Sequence, residues 1–205
     1  MNSLLRKIKR AAISYWLVVK TVFRKFADKS DYERWSDPES LSPSWNPRTE
    51  NIAFLIPSGS SVLEFGAGNM SLKNYLPADC KYTGSDLVDR GPGTIVCDLN
   101  GPKLPLFSPN DFAVFSGVLE YVNDVPRLIA HLSDVAEVII ASYVTIECVS
   151  SKIARRSVGW VNDFSSEELE ATFSRSGFSL DFRETWQEQT IYRFVHERCK
   201  VNQKL

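Results

Sequence analysis

Two glycines separated by one residue, Gly66 and Gly68, follow the apolar run 62–65 and lead into a helical pattern that begins at Ser71. Such a turn brings backbone N–H groups against a ligand, because glycine adopts the required dihedrals and carries no side chain to hold the ligand off. The turn reads Gly66-Ala67-Gly68-Asn69, and a carboxylate, Glu64, stands two residues ahead of it on the strand. Asp86, followed by Leu87, ends the next apolar run 20 residues after Gly66, where a carboxylate can accept hydrogen bonds from both hydroxyls of a ribose. Asp98, with Leu99, ends a third run, and Ser116-Gly117-Val118 opens a loop after a fourth. Three carboxylates gathered at one site favour a positively charged ligand and oppose a dinucleotide's pyrophosphate. Position 71 is serine, so the G-x-G-x-x-G pattern of a nicotinamide dehydrogenase also fails. The plainer alternatives are an ordinary strand-to-helix turn at the glycines and a turn or cap role for Asp98.

These residues stand at the ends of short apolar runs, 62–65, 82–86, 94–97, 112–116 and 138–143, which alternate with helical patterns at 71–76, 125–132 and 166–176. The alternation predicts an α/β, Rossmann-like doubly wound sheet, mostly parallel, with ligands at the carboxyl ends of the strands. Two last runs, 179–186 and 190–196, are three residues apart and can pair only as antiparallel strands. The domain so defined spans 59–205. Residues 27–58 are polar, broken by Pro38, Pro43, Pro47 and Pro57, and read as a connector with one short helix near 48–55.

The order of motifs resembles the class I S-adenosylmethionine-dependent methyltransferases over about residues 46–205. VLEFGAGN matches the first motif, GSDL the second, CDLN the third and DFAVFSGVLEYV the fourth, and Ser176-Gly177-Phe178 matches the turn before the terminal antiparallel strands. The nearest flavour is the small methyltransferases acting on metabolites, lipids, quinones or envelope glycans. The resemblance implies S-adenosylmethionine as cofactor, with Glu64 and the backbone of Gly66, Ala67, Gly68 and Asn69 around its amino acid moiety. Asp86 and Leu87 would then meet the ribose, Asp98 and Leu99 the adenine, and Ser116, Gly117 and Val118 the wall nearest the sulfonium. Three positions depart from the family pattern: Met70 replaces a third glycine, Tyr121 a histidine, and 133–137 lacks a glycine pair.

Methyl transfer from a sulfonium is an in-line displacement, so the protein's main task is alignment, with a base required where the acceptor is a hydroxyl. His131 and His196, the two histidines, fall in a crossover helix and near the last strand's end and read as structural. Tyr121, Tyr143, Glu147 and Asp163 lie on segments that should border the pocket and are the catalytic candidates. The fourth motif lacks the Asn/Asp-Pro-Pro-aromatic signature of enzymes that methylate amide or nucleobase nitrogens. Trp35, Trp45 and Arg48 in the connector are candidates for a lid or for holding an anionic acceptor. Arg155, Arg156 and Trp160 fall where the family inserts substrate-recognition elements. A non-catalytic Rossmann-like binding or scaffold protein is the reading from a different class.

The chain carries a net charge of -1 over 205 residues, but residues 1–26 hold seven basic side chains and no acidic one, which leaves the rest at -8. That balance argues against a nucleic-acid partner. On a helical wheel the apolar residues of 1–26 occupy one half and the basic residues the other, with Ile13 and Leu17 as exceptions. This amphipathic helix suits an anionic membrane surface, its own protein's core or a partner copy, or a transit peptide. Its longest apolar stretch is nine residues, too short to span a bilayer, and no small-residue cleavage site follows. A cytoplasmic protein, peripheral to the membrane, with a small-molecule or lipid-linked acceptor is the expectation. Cys80, Cys97, Cys148 and Cys199 are scattered without a nearby histidine, so neither a metal site nor a disulfide framework is expected.

Overall fold

The computed structural model describes residues 2–202, with side chains described from 12 to 200. In chain order the elements are α1 (Asn2–Phe26), α2 (Tyr32–Ser36), α3 (Asn46–Ala53), β1 (Ser61–Phe65), α4 (Ser71–Tyr75), β2 (Lys81–Asp86), β3 (Ile95–Val96), β4 (Asn110–Ser116), α5 (Val125–Leu132), β5 (Ala136–Tyr143), α6 (Lys152–Ser157), α7 (Ser166–Ser174), β6 (Phe178–Trp186), β7 (Gln189–His196) and α8 (Glu197–Asn202). The strands form one sheet in the order β3-β2-β1-β4-β5-β7-β6. The first five pair in parallel, and β7 runs antiparallel between β5 and β6. The doubly wound, mostly parallel sheet predicted from the sequence is therefore the observed fold. Its strand order reverses between β1 and β4, and a crevice opens beyond their carboxyl ends at Phe65 and Ser116.

Each sheet face is covered by helices whose apolar spacing selects their inner side. Val125, Leu128, Ile129 and Leu132 of α5 are buried, and Asp124 caps the helix by accepting from Arg127 N at 2.9 Å. Helix α7 starts with a reciprocal capping box between Ser165 and Glu168. Both pack on the face bearing Phe65, Phe115 and Ile139. Ile52 of α3 and Leu72 of α4 cover the other face, against Val62, Val114 and Ile140.

Three elements differ from the sequence expectation. The run at 94–97 shrinks to the two-residue edge strand β3, where Val96 is exposed and a second neighbouring strand is missing. Helix α6 has no apolar stripe to announce it; it starts at Ser151, whose side chain accepts from Ala154 N, and is centred on the buried Arg155. In α1 the side chains facing the body are Ser14, Val18, Thr21 and Lys25, while Tyr15, Trp16, Phe23 and Phe26 face outward. Packing of the apolar face on the protein's own core does not hold for residues 12–26.

Candidate active site

Strand β1 ends at Phe65 and the chain turns sharply, with φ of +65° at Gly66 and +52° at Gly68. The glycine at 66 is also required by space: a Cβ there would come within 2.6 Å of Val118 Cγ2. Met70, where the motif of the resembling family has a third glycine, keeps a left-handed backbone with φ of +53°, a conformation uncommon for a non-glycine residue. At the end of β2 the Asp86 carboxylate accepts from Gly68 N at 2.8 Å and from Val88 N at 3.3 Å, and pairs with Arg90 at 3.2 Å. Arg90 donates in turn to the carbonyl of Trp35, tying the connector to the site.

These residues border a cavity of about 360 Å³, of the size that small-molecule ligands occupy. Its floor is the turn from Gly66 to Asn69 together with Glu64, Asp86 and Leu87. Cys97, Leu99 and Asn100 form one wall, and Ser116, Gly117 and Val118 another. Asp98 is not part of the lining. Its Oδ1 accepts from Ser30 Oγ at 2.6 Å and from Asn100 N at 2.9 Å, so the carboxylate fixes the turn and pins the connector.

The connector supplies the remaining wall. Trp35 meets Tyr121 edge-on at 4.9 Å and Trp45 at 6.4 Å, and Trp160 Nε1 donates to Tyr121 Oη at 3.2 Å. Arg34, which the sequence reading passed over, lies over the Trp35 ring at 4.5 Å. Arg48, from α3, is 5% exposed and donates to Ser116 Oγ, Ser116 O and Gln189 Oε1 at 3.0–3.1 Å. All three acceptors are neutral. A buried guanidinium without a carboxylate partner among the described residues is costly to keep, and burial lowers its affinity for its proton.

Two buried carboxyls face the same cavity. Glu64 accepts from Tyr82 Oη at 2.5 Å, and burial pushes its pKa up to about 8 against the lowering influence of Tyr82 and Arg48. Glu120, also missed in the sequence, accepts from Val144 N at 2.9 Å through Oε1, while Oε2 has no partner among the described residues. Burial raises its pKa as well.

The catalytic candidates separate. Tyr121 lines the cavity, its phenol held above the ordinary range by burial. Tyr143, Asp163 and Glu147 do not. Tyr143 Oη donates to Asn162 Oδ1 at 2.5 Å and accepts from Arg155 Nη2 at 2.9 Å and Phe164 N at 3.0 Å. Asp163 pairs with Arg155 at 3.1 Å and Arg156 at 2.6 Å, and Glu147 accepts from Ser166 N on the surface. The segments that carry these side chains were expected to border the pocket; a buried polar network under α6 takes the first two instead. His131 contacts Pro105 O at 3.1 Å and His196 packs edge-on against Phe178, and neither borders the cavity. No cluster able to hold a metal ion occurs among the described residues.

Solved structures share this fold. A candidate O-methyltransferase of Nostoc punctiforme superposes with a TM-score of 0.67 at 11% identity, over 87% of this chain and 68% of that one. The 1,6-didemethyltoxoflavin-N1-methyltransferase of Burkholderia thailandensis, solved with its substrate and S-adenosylhomocysteine, gives 0.61 at 15% identity over 92% and 89%. An O-methyltransferase from neocarzinostatin biosynthesis, in complex with S-adenosylmethionine and 2-hydroxy-5-methyl naphthoic acid, gives 0.58 at 16% over 92% and 70%. No protein-family model and no curated protein sequence matches the chain. The fold is that of the class I S-adenosylmethionine-dependent methyltransferases.

Proposed function

We propose that the protein transfers a methyl group from S-adenosylmethionine to a small-molecule acceptor, free or linked to a lipid or glycan. The observation that carries this reading is the pairing, in one cavity, of a buried cation lacking an anion with buried carboxyls beside a glycine turn. That set is complementary to a zwitterionic amino acid joined to a ribose: Arg48 for the carboxylate, Glu64 for the ammonium, Asp86 for the ribose hydroxyls. The bound cofactor supplies an electrophilic methyl on a sulfonium. The chain's own part is to align donor and acceptor and to keep water out, for which the aromatic wall of Trp35, Trp45, Tyr121 and Trp160 is suited. Glu120 Oε2 offers a buried acceptor for a hydroxyl donor.

Glu64 gives the reading a pH signature. Its carboxyl, pushed up to about 8 in the ligand-free protein, must ionise to hold an ammonium. Binding therefore releases a proton below pH 8, and affinity rises with pH between 6 and 8, by about fiftyfold. For folding of the ligand-free protein the expected trend is the opposite. A carboxyl whose folded pKa exceeds its unfolded value favours folding fully below that unfolded value, and the contribution is lost as pH rises through 8. Calorimetry in buffers of different ionisation enthalpy checks the proton release, which Glu64→Gln should abolish.

The reaction is tested by incubating the protein with methyl-labelled S-adenosylmethionine and extracts of lipids, glycans and aromatic metabolites, followed by mass analysis. The proposal expects a labelled methyl on one acceptor class. Tight cofactor binding with no product from any extract would favour the non-catalytic binding protein.

A further inference from the structure

Helix α1 is mounted on the body by the side that an amphipathic helix ordinarily shows to water. Thr21 is buried and its Oγ1 donates to Arg156 O at 2.9 Å; Lys25 Nζ donates to Val161 O at 2.6 Å. Lys20 pairs with Glu33 at 2.6 Å, and Arg24 pairs with Asp31. The opposite side carries Tyr15, Trp16, Phe23 and Phe26, which are 73%, 61%, 73% and 86% exposed, with Val19 and Val22 between them. Apolar side chains three and four residues apart on one helix form a continuous stripe, unlike apolar residues scattered singly over a surface.

We propose that this stripe docks α1 in the plane of a bilayer surface rich in anionic lipid. Charge selects the occupant. Residues 1–26 carry seven cations and no anion, and beyond Lys20 and Arg24, which pair with Glu33 and Asp31, the sequence supplies Arg6, Lys7, Lys9 and Arg10 ahead of residue 12. An anionic headgroup layer is complementary to that excess, whereas a second copy on the same stripe would lay two equally cationic helices side by side. The aromatic content points the same way, since tryptophan and tyrosine favour the boundary between hydrocarbon and headgroup. No helix among the described residues is long and apolar enough to cross a membrane, so the attachment is interfacial. Thr21 and Arg24, on the inner side of this helix, line the cavity. Docking therefore brings the cavity within about one helix diameter, roughly 10 Å, of the headgroups, where a lipid-linked acceptor is within reach.

The test is co-sedimentation of the full chain with phosphatidylcholine vesicles that contain phosphatidylglycerol. Binding is expected, and it should weaken about tenfold or more on phosphatidylcholine alone or in high salt. The variants F23E and F26E, which alter outward side chains that do not line the cavity, should abolish sedimentation while S-adenosylmethionine affinity stays at the wild-type value. Equal sedimentation of wild type and both variants overturns the proposal. So does a lipid-free dimer, seen by analytical ultracentrifugation, that F23E splits while vesicles capture nothing. Because binding is read without turnover, its failure is separable from failure of the methyl-transfer reading.

Discussion

Arg48→Ala is expected to weaken S-adenosylmethionine binding by about a hundredfold or more, with little change in the melting temperature of the ligand-free protein. Removing one partner of a buried, hydrogen-bonded charge pair costs about 2–5 kcal/mol, and the ligand carboxylate would be left facing neutral groups. The unliganded protein loses three hydrogen bonds to neutral acceptors but is relieved of a buried, unpaired cation, so the two effects on folding oppose each other. Arg48→Lys keeps the charge but loses the planar fork and should fall between. Gly117→Ala offers an independent route to the same outcome: φ is +68° there, and a Cβ would lie 2.4 Å from Arg48 Nη1 and displace it. Isothermal titration of the three variants beside their melting curves checks the set; unaltered affinity in Arg48→Ala would remove the guanidinium from the ligand site.

The second large effect is structural. Arg155 is fully buried and donates to Val144 O, Thr145 O, Asn162 O and Tyr143 Oη while pairing with Asp163. Arg155→Ala leaves those carbonyls unmatched and weakens the compensation of Asp163, a loss of about 3–5 kcal/mol. For a chain of this length that lowers the melting midpoint by roughly 6–20 °C. Tyr143→Phe should cost less, about 1–2 kcal/mol, because Arg155 Nη2 retains Asn162 O. In both variants the folded fraction should bind the cofactor as the wild type does. A specific loss of affinity in Tyr143→Phe, at unchanged stability, would return Tyr143 to the site.

What the sequence made legible follows from the range of the interactions involved. Gly66, Gly68 and Asp86 could be placed because each is fixed locally, by a turn that needs positive φ or by its place at the end of a short strand. Arg48 and Ser116 meet across 68 positions, and nothing near Arg48 in the chain announces the contact. Tyr143 ends a run that the sequence predicts and Asp163 follows in a connecting segment, but the direction of their side chains is set by Arg155 on a helix without an apolar stripe. Asp98 lies two residues beyond the shortened β3, with its carboxylate taken by Ser30 and its own turn. The pattern of α1 separates an apolar from a basic side without saying which faces inward. Asp31 and Glu33 decide that, by pairing with Arg24 and Lys20.

The most direct test of the central claim is calorimetric titration of the 205-residue chain with S-adenosylmethionine and with S-adenosylhomocysteine. One saturable site for both is predicted, weakened about tenfold to a hundredfold by Asp86→Ala through the lost charge-assisted hydrogen bonds to the ribose. Correctly folded protein that binds neither compound, or an Asp86→Ala variant that binds as tightly as the wild type, would contradict the account.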